Sequence, residues 1–95
     1  MSSMIKRLVY HKLKNLTTSE IMGYAKEYDF SITQMEAEQI IYYFKNTNFD
    51  PFNKRDRRVF FQRLGEITDQ STAQKAYQLF HHLIERYNLT YLFDE

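Results

Sequence analysis

Two short segments of the sequence carry side chains at spacings that could bind a metal ion. Asn46, Asn48 and Asp50 have the first three spacings of a calcium-binding loop, in which oxygen ligands alternate along the chain. The pattern then fails, because Pro51 stands where a calcium loop needs glycine and Arg57 stands where it needs a bidentate glutamate. We therefore predict a turn rich in Asn and Asp at this point, and no calcium site.

The adjacent histidines His81 and His82, followed by Glu85, form the second possible metal-binding group. On a helix, adjacent residues project about 100° apart, so only His81 and Glu85 share a face. Two ligands from one helix are too few for a metal centre, and His11 lies in a distant part of the sequence. The polar outer face of a helix accounts for these residues, and we predict neither a bound metal nor a cofactor.

The sequence shows no spacing of nucleophiles, acids and bases that is typical of an enzyme. It has no cysteine, no glycine-rich phosphate loop and no nucleophile elbow. A chain of 95 residues also has room for one small core rather than for a deep catalytic cleft. We therefore expect a protein that is not an enzyme and that acts by binding.

A cluster of cationic side chains occupies residues 54–63, although the net charge of the whole chain is only +1. The candidate anion-contacting residues at the start of this cluster are Lys54, Arg55, Arg57 and Arg58. Positive charge in the first turn of a helix opposes the helix dipole, so an acidic group is expected nearby. It is either internal, in the acidic stretch 20–38 or at Asp94 and Glu95, or it is the phosphate backbone of a nucleic acid. A third alternative is that Lys54, Arg55 and Arg58 are simply solvated, since they fall away from the apolar stripe of Phe60.

Aromatic residues are frequent, with eight Tyr and eight Phe in the chain. Most of them fall on predicted core faces or anchor loops, as Phe49 and Phe52 do beside the single proline. The aromatic residues that these roles leave over are Tyr10, Tyr42, Tyr43, Tyr91 and Phe93. Because tyrosine is enriched in protein interfaces, we predict that these five residues form the surface that contacts a partner.

Apolar residues recur with helical periodicity along the whole chain and predict five helices that position these groups. The first helix has its apolar face between residues 4 and 13, and the second runs from about 18 to 28. The third precedes a loop at 46–53, the fourth precedes a loop at 68–71, and the fifth covers about 72–87. We expect the fifth helix to be central because it has the widest apolar arc.

Short side chains that precede these helices predict where four of them begin. The predicted cap and partner pairs are Thr17 with Glu20, Thr33 with Glu36, Asn53 with Asp56, and Ser71 with Gln74. Residues 1–4 are a possible frayed leader, and the tail 88–95 either packs on the bundle or stays loose.

Together these elements predict an all-α fold: one domain over residues 1–95, built as a compact bundle of four to five short helices in orthogonal packing. Two glycines and one proline are too few for the turns of an all-β chain. No apolar run is long enough to span a membrane, and the basic N-terminus lacks the apolar region of a secretory signal. We therefore expect a cytoplasmic protein with no membrane contact.

The helix boundaries and loops are similar to those of a known family. The matching segments are 16–21, 24–28, 32–40, the Phe49-Asp50-Pro51-Phe52 loop, Asp56-Arg57, and Ile67-Thr68 before Ala73. Over roughly residues 5–87 the sequence resembles the YqfT-like family of short proteins from Bacillus-type bacteria, a domain of unknown function. The resemblance implies the helical fold and a cytoplasmic location, and it carries no activity.

Residues 16–41 alone also resemble the SAP-type helix-extended-helix motif, which binds DNA. The usual glycine of the link is absent here, and the second helix begins with the acidic residues Glu36 and Glu38. The first prediction for function is therefore a protein–protein interaction module, with an unknown partner or a second copy. The alternative is a nucleic-acid-binding module that uses this segment and the basic cluster at 54–63.

Overall fold

Six α-helices follow one another in the computed structural model, which describes residues 2–93. Helices α1, α2 and α3 span Ser2–Lys14, Thr18–Glu27 and Gln34–Asn46, and α4, α5 and α6 span Lys54–Ile67, Gln70–Arg86 and Thr90–Phe93. The described residues contain no β-strand, so the predicted all-α class is confirmed. Helices α1 to α5 are the five predicted ones, α1 includes residues 2–4, and α6 is a single turn in the tail.

Side-chain caps start α2 and α3 at the predicted residues. The hydroxyl of Thr17 accepts a hydrogen bond from the Glu20 N–H at 3.1 Å, and the Glu20 carboxylate accepts one from the Thr17 N–H at 3.0 Å. Thr33 and Glu36 repeat this reciprocal pair at 3.1 and 2.9 Å. Both capping boxes are confirmed, and each satisfies two backbone donors that a helix start would otherwise leave unpaired.

Single caps start α4 and α5, and the second of them is not the predicted one. Asn53 accepts a hydrogen bond from the N–H of Asp56 at 2.9 Å, as predicted. At α5 it is Asp69, not Ser71, that caps the helix, by accepting from the N–H of Thr72 at 2.7 Å. This hydrogen bond lowers the pKa of Asp69, and a carboxylate is favoured over a hydroxyl at the positive end of a helix dipole.

Helix α3 lies at the centre of the packing, where α5 was expected. It packs against α1, α2 and α4, whereas α5 packs against α4. The buried apolar side chains that form the core are Ile21, Ala37, Ile40, Phe44, Leu64 and Ala73. Because α2 lies on one side of the α3–α4 pair and α5 on the other, the two outer helices do not close over each other.

Residues 88–93, the described part of the tail, pack on the body of the protein. Leu92 in α6 is 2% exposed, and the ring of Phe93 stacks on Phe52 with 4.7 Å between centroids. Phe52 in turn meets the ring of Tyr10 edge to face at 5.7 Å. Phe52 is thus the loop anchor that the sequence predicted, and it joins α1 to the tail.

The cations of α1 make contacts within the fold. Lys12 forms an ion pair with Glu20, which ties α1 to α2. Lys14 donates hydrogen bonds to the carbonyls of Phe44 at 2.9 Å and Thr47 at 3.0 Å, and so caps the end of α3. A cation at the C-terminus of a helix favours the dipole, which gives the basic N-terminal segment a structural role.

Candidate functional site

An apolar groove of about 370 Å³ lies between α2 and α5, over the α3–α4 pair. Its floor consists of large side chains from the central helices: Ile40, Phe44, Phe60, Phe61 and Leu64. Its α2 wall consists of Ile21, Tyr24, Ala25 and Tyr28. Its α5 wall consists of Thr72, Ala76, Leu79, Phe80 and Leu83. The volume lies within the roughly 300–1,000 Å³ that is typical of binding pockets.

The groove offers an occupant almost no hydrogen-bonding partner. Apart from Thr72 and the hydroxyls of Tyr24 and Tyr28 at the exposed rim, every lining side chain is aliphatic or purely aromatic. Thr72 is itself buried in the N-terminal turn of α5, where its N–H donates a hydrogen bond to the Asp69 carboxylate. Its side chain also forms a hydrogen bond with Asp69. Only apolar groups would therefore gain free energy by leaving water for this groove.

The two rims of the groove carry opposite charges. On α5 the exposed cations Lys75 and Arg86, with His82 between them, lie three to seven residues from Leu79, which puts them on its side of the helix. On α2 the rim consists of Tyr24 and Tyr28, which are 47% and 39% exposed. The acids Glu20 and Glu27 border this rim, since they lie four residues before and three residues after Tyr24.

A second hollow of about 360 Å³ adjoins the groove at the α2–α3 link. It is lined by Tyr28, Asp29 and Phe30 on one side and by Lys75, Gln78, Leu79 and His82 on the other. Tyr28, Phe30 and Leu79 line both cavities, so the apolar groove opens directly onto the cationic side of α5.

Helices α2 and α5, the two walls of the groove, end with the same backbone turn. Asp29 and Asn88 follow them with left-handed φ values of 63° and 58°. The next N–H groups, of Phe30 and Leu89, each donate a 2.7 Å hydrogen bond back into the last turn of the helix. These turns end the two helices that form the walls.

Three members of the predicted aromatic surface are engaged within the fold. Tyr10 is half-buried against Phe52 and donates a hydrogen bond to Asp50. Tyr43 lies 5.5 Å from the ring of Phe60, and burial raises its pKa. Phe93 stacks on Phe52, as described above. These three aromatic residues thus make separate internal contacts and do not lie together on one surface.

Tyr42 and Tyr91 are the two predicted residues whose side chains face water, at 69% and 60% exposure. Tyr42 lies on the outer side of α3, and Tyr91 lies on the single turn of α6. Neither of them lines the α2–α5 groove, which no motif in the sequence predicts as a site.

Of the four candidate anion-contacting residues, one side chain points inward and three point outward. Arg57 donates hydrogen bonds to the carbonyls of Pro51 at 2.9 Å and Phe93 at 3.4 Å, and its guanidinium lies 5.6 Å from the centroid of the Phe80 ring. The exposed members are Lys54, Arg55 and Arg58. In the described part of the chain the ion pairs are Lys12–Glu20 and Arg63–Glu66, so the stretch 20–38 does not neutralise the cluster. Asp94 and Glu95 lie outside the described residues.

One residue of each possible metal-binding group, Asp50 in the loop and His81 on α5, makes internal contacts. The Oδ1 atom of Asp50 accepts hydrogen bonds from the Tyr10 hydroxyl at 2.6 Å and the Phe52 N–H at 2.9 Å. The His81 ring packs edge-on against Tyr77 at 4.5 Å. Residues 2–93 contain no group of three His, Cys, Asp or Glu side chains that could hold a metal ion. In the same range, every helix is too short or too polar to cross a membrane.

Comparison with known proteins gives one family and one curated relative. The model of a family described as "Protein of unknown function (DUF2624)" matches residues 1–84. The uncharacterized protein YqfT of Bacillus subtilis (strain 168) is 29% identical over 79 residues, which cover 81% of this chain and 92% of YqfT. No solved structure matches the chain.

Proposed function

Since the chain belongs to the DUF2624 family, whose function is unknown, we propose a function from its geometry: it is a cytoplasmic, non-enzymatic module that binds a helix of a partner protein in the α2–α5 groove. The observation that carries this proposal is the groove itself, an accessible apolar concavity in a chain of only 95 residues. Apolar surface left open to water is unfavourable for the isolated protein, and such surfaces commonly mark binding sites.

The lining favours a helical occupant over an extended one. An extended segment would bring backbone N–H and C=O groups against a floor and an α5 wall whose side chains, apart from Thr72, cannot bond them. A helix satisfies those groups internally and presents only its side chains. The lining residues of α5 run from Thr72 to Leu83, which corresponds to about 17 Å, or about three turns of a docked helix.

The direct test is a selection of displayed helical peptides against the immobilised full-length protein. We expect the selected peptides to carry apolar residues at i, i+3 or i+4, and i+7, and to bind as helices. Leu79→Glu places a carboxylate in the groove wall and should weaken their binding at least about tenfold, because that charge would have to be desolvated. Circular dichroism checks that this variant is folded.

Tyr42→Glu is the matched control, because it adds the same charge at an exposed aromatic residue outside the groove. It should leave peptide binding unchanged. If Tyr42→Glu abolishes binding and Leu79→Glu does not, the partner uses the outer side of α3 and the groove proposal is wrong. The proposal also fails if no helical peptide is selected while a fluorescent fatty acid binds and Leu79→Glu releases it.

Nucleic-acid binding is the second candidate, and one observation favours it. Lys54, Arg55 and Arg58 are exposed on one side of α4, and no ion pair neutralises them within residues 2–93. Retention of duplex DNA at low salt should fall sharply in Arg55→Glu/Arg58→Glu, because phosphate contacts dominate such binding. The control Lys26→Glu/Lys45→Glu makes the same charge change elsewhere, and equal retention by both double variants would eliminate this candidate.

A further inference from the structure

We infer that the helix that binds the groove carries an acidic flank toward α5 and a basic flank toward α2. This inference rests on the proposed function, since it specifies the partner of the same site. Its basis is the distribution of charge along the two rims rather than the apolar lining.

The α5 rim carries two cations, Lys75 and Arg86. Lys75, Leu79, His82 and Arg86 follow one another at intervals of three or four residues, so they form one stripe along the helix. Lys75 and His82 line the hollow that opens onto the groove. Arg86 lies 5.6 Å from the centroid of the Tyr87 ring, and it is exposed, so its charge remains available to a partner.

The α2 rim is acidic. Glu20 and Glu27 lie four residues before and three residues after Tyr24, and so they border the tyrosines of the groove wall. Asp29 continues this rim at the end of α2, in the second hollow. Glu20 is paired with Lys12, which leaves Glu27 and Asp29 as the acids that a partner can neutralise without breaking an ion pair present in residues 2–93.

The opposite charges of the two rims also determine the direction in which a docked helix lies. Turning a docked helix end for end, with its apolar face kept down, exchanges its left and right flanks. A helix with one acidic and one basic flank therefore matches this groove in one direction and meets like charges on both rims in the other.

The test uses four synthetic helical peptides of about sixteen residues with one shared leucine face. Their flanks carry Glu on one side and Lys on the other, Glu on both, Lys on both, or Gln on both. At low salt we expect the Glu/Lys peptide to bind the full-length protein about five- to tenfold more tightly than the Gln peptide, since several exposed ion pairs contribute modestly. The advantage should disappear near 1 M salt, where screening acts over a few ångströms.

Charge reversal of the α5 rim is the matched experiment on the protein. Lys75→Glu/Arg86→Glu should remove the advantage of the Glu/Lys peptide and leave the affinity for the Gln peptide unchanged. A spin label on the N-terminus of the Glu/Lys peptide should broaden NMR signals at one end of the groove, and exchanging its two flanks should move the broadening to the other end.

The failures of the two proposals are distinguishable. If all four peptides bind equally and Leu79→Glu prevents their binding, the groove binds helices and the charge inference is wrong. If the Lys-flanked peptide binds most tightly, the inference is also wrong. If none of the four peptides binds, and Leu79→Glu does not weaken the binding of peptides selected from the displayed library, the proposed function itself fails.

Discussion

The hydroxyl of Tyr10 donates a hydrogen bond of 2.6 Å to the Asp50 carboxylate and thereby joins α1 to the loop before α4. Asp50 also accepts from the Phe52 N–H at 2.9 Å, and its own N–H donates to Asp56 at 3.0 Å. Burial and the neighbouring Asp50 carboxylate raise the pKa of Tyr10 to about 12. This residue, which the sequence suggested as a partner contact, is therefore part of an internal network.

Tyr10→Phe should lower the free energy of unfolding near neutral pH by about 1 kcal/mol, because it leaves Asp50 with one fewer donor. The stabilisation from a raised tyrosine pKa is complete below the ordinary value of 10.0 and is lost as the pH rises toward about 12. Denaturant unfolding across this range should therefore show a steeper loss of stability in the unmodified protein than in Tyr10→Phe.

The exposed Tyr42→Phe is the control for this comparison and should follow the unmodified protein. Burial also raises the pKa of Tyr43, but Tyr43 is present in all three proteins and cancels in the difference. Parallel pH profiles for Tyr10→Phe and the unmodified protein would contradict the hydrogen bond between Tyr10 and Asp50.

Replacing either capping threonine should destabilise the protein. Thr17→Ala and Thr33→Ala each remove an acceptor for the first turn of a helix, and we expect a loss of about 1 kcal/mol from each in urea unfolding. Ser31→Ala alters an exposed hydroxyl in the α2–α3 link and should change stability by less than about 0.5 kcal/mol. A loss from Ser31→Ala as large as that from Thr33→Ala would contradict the assigned cap.

The two glycines should respond differently to alanine. A Cβ atom at Gly23 would meet no neighbouring atom within 4 Å, so Gly23→Ala should stabilise the exposed side of α2 by about 1 kcal/mol. At Gly65 the added Cβ would lie 3.3 Å from Gln70 Nε2 and 3.6 Å from Ala73 Cβ. Thermal unfolding should therefore show the smaller gain for Gly65→Ala, and the reverse order would contradict the close approach of α4 and α5.

Replacement of Arg57 or Arg55 by alanine should lower the free energy of unfolding by different amounts. Arg57→Ala removes two hydrogen bonds to backbone carbonyls and two ring contacts, and it should lower the free energy of unfolding by roughly 2 kcal/mol. Arg55 is exposed, so Arg55→Ala should have an effect within about 0.5 kcal/mol. Chemical denaturation of both variants measures this difference, and equal stabilities would show that Arg57 does not hold the tail.

Much of the fold could be predicted because its signals are local. Thr17 with Glu20 and Thr33 with Glu36 lie three residues apart, and a capping box depends on that spacing alone. The start of α5 was predicted less well, since Asp69 and Ser71 are both good caps and only the path of the chain decides between them. The hydrogen bond of Tyr10 to Asp50 and the stacking of Phe93 on Phe52 could not be predicted, because these partners lie 40 and 41 residues away in the sequence.

The groove shows where sequence information ends. The helical periodicity puts Ile21 and Tyr24 on the apolar side of α2, and Leu79 and Leu83 on the apolar side of α5. From periodicity alone, both sides are predicted to belong to the core. A helical stripe has the same spacing whether another helix covers it or not. The sequence by itself therefore determined the helices, the caps of α2, α3 and α4, and the apolar faces, since these depend on residues within one or two turns of each other. Only the tertiary structure decided that α2 and α5 lie on either side of the α3–α4 pair and leave their faces apart, because that depends on how distant helices pack.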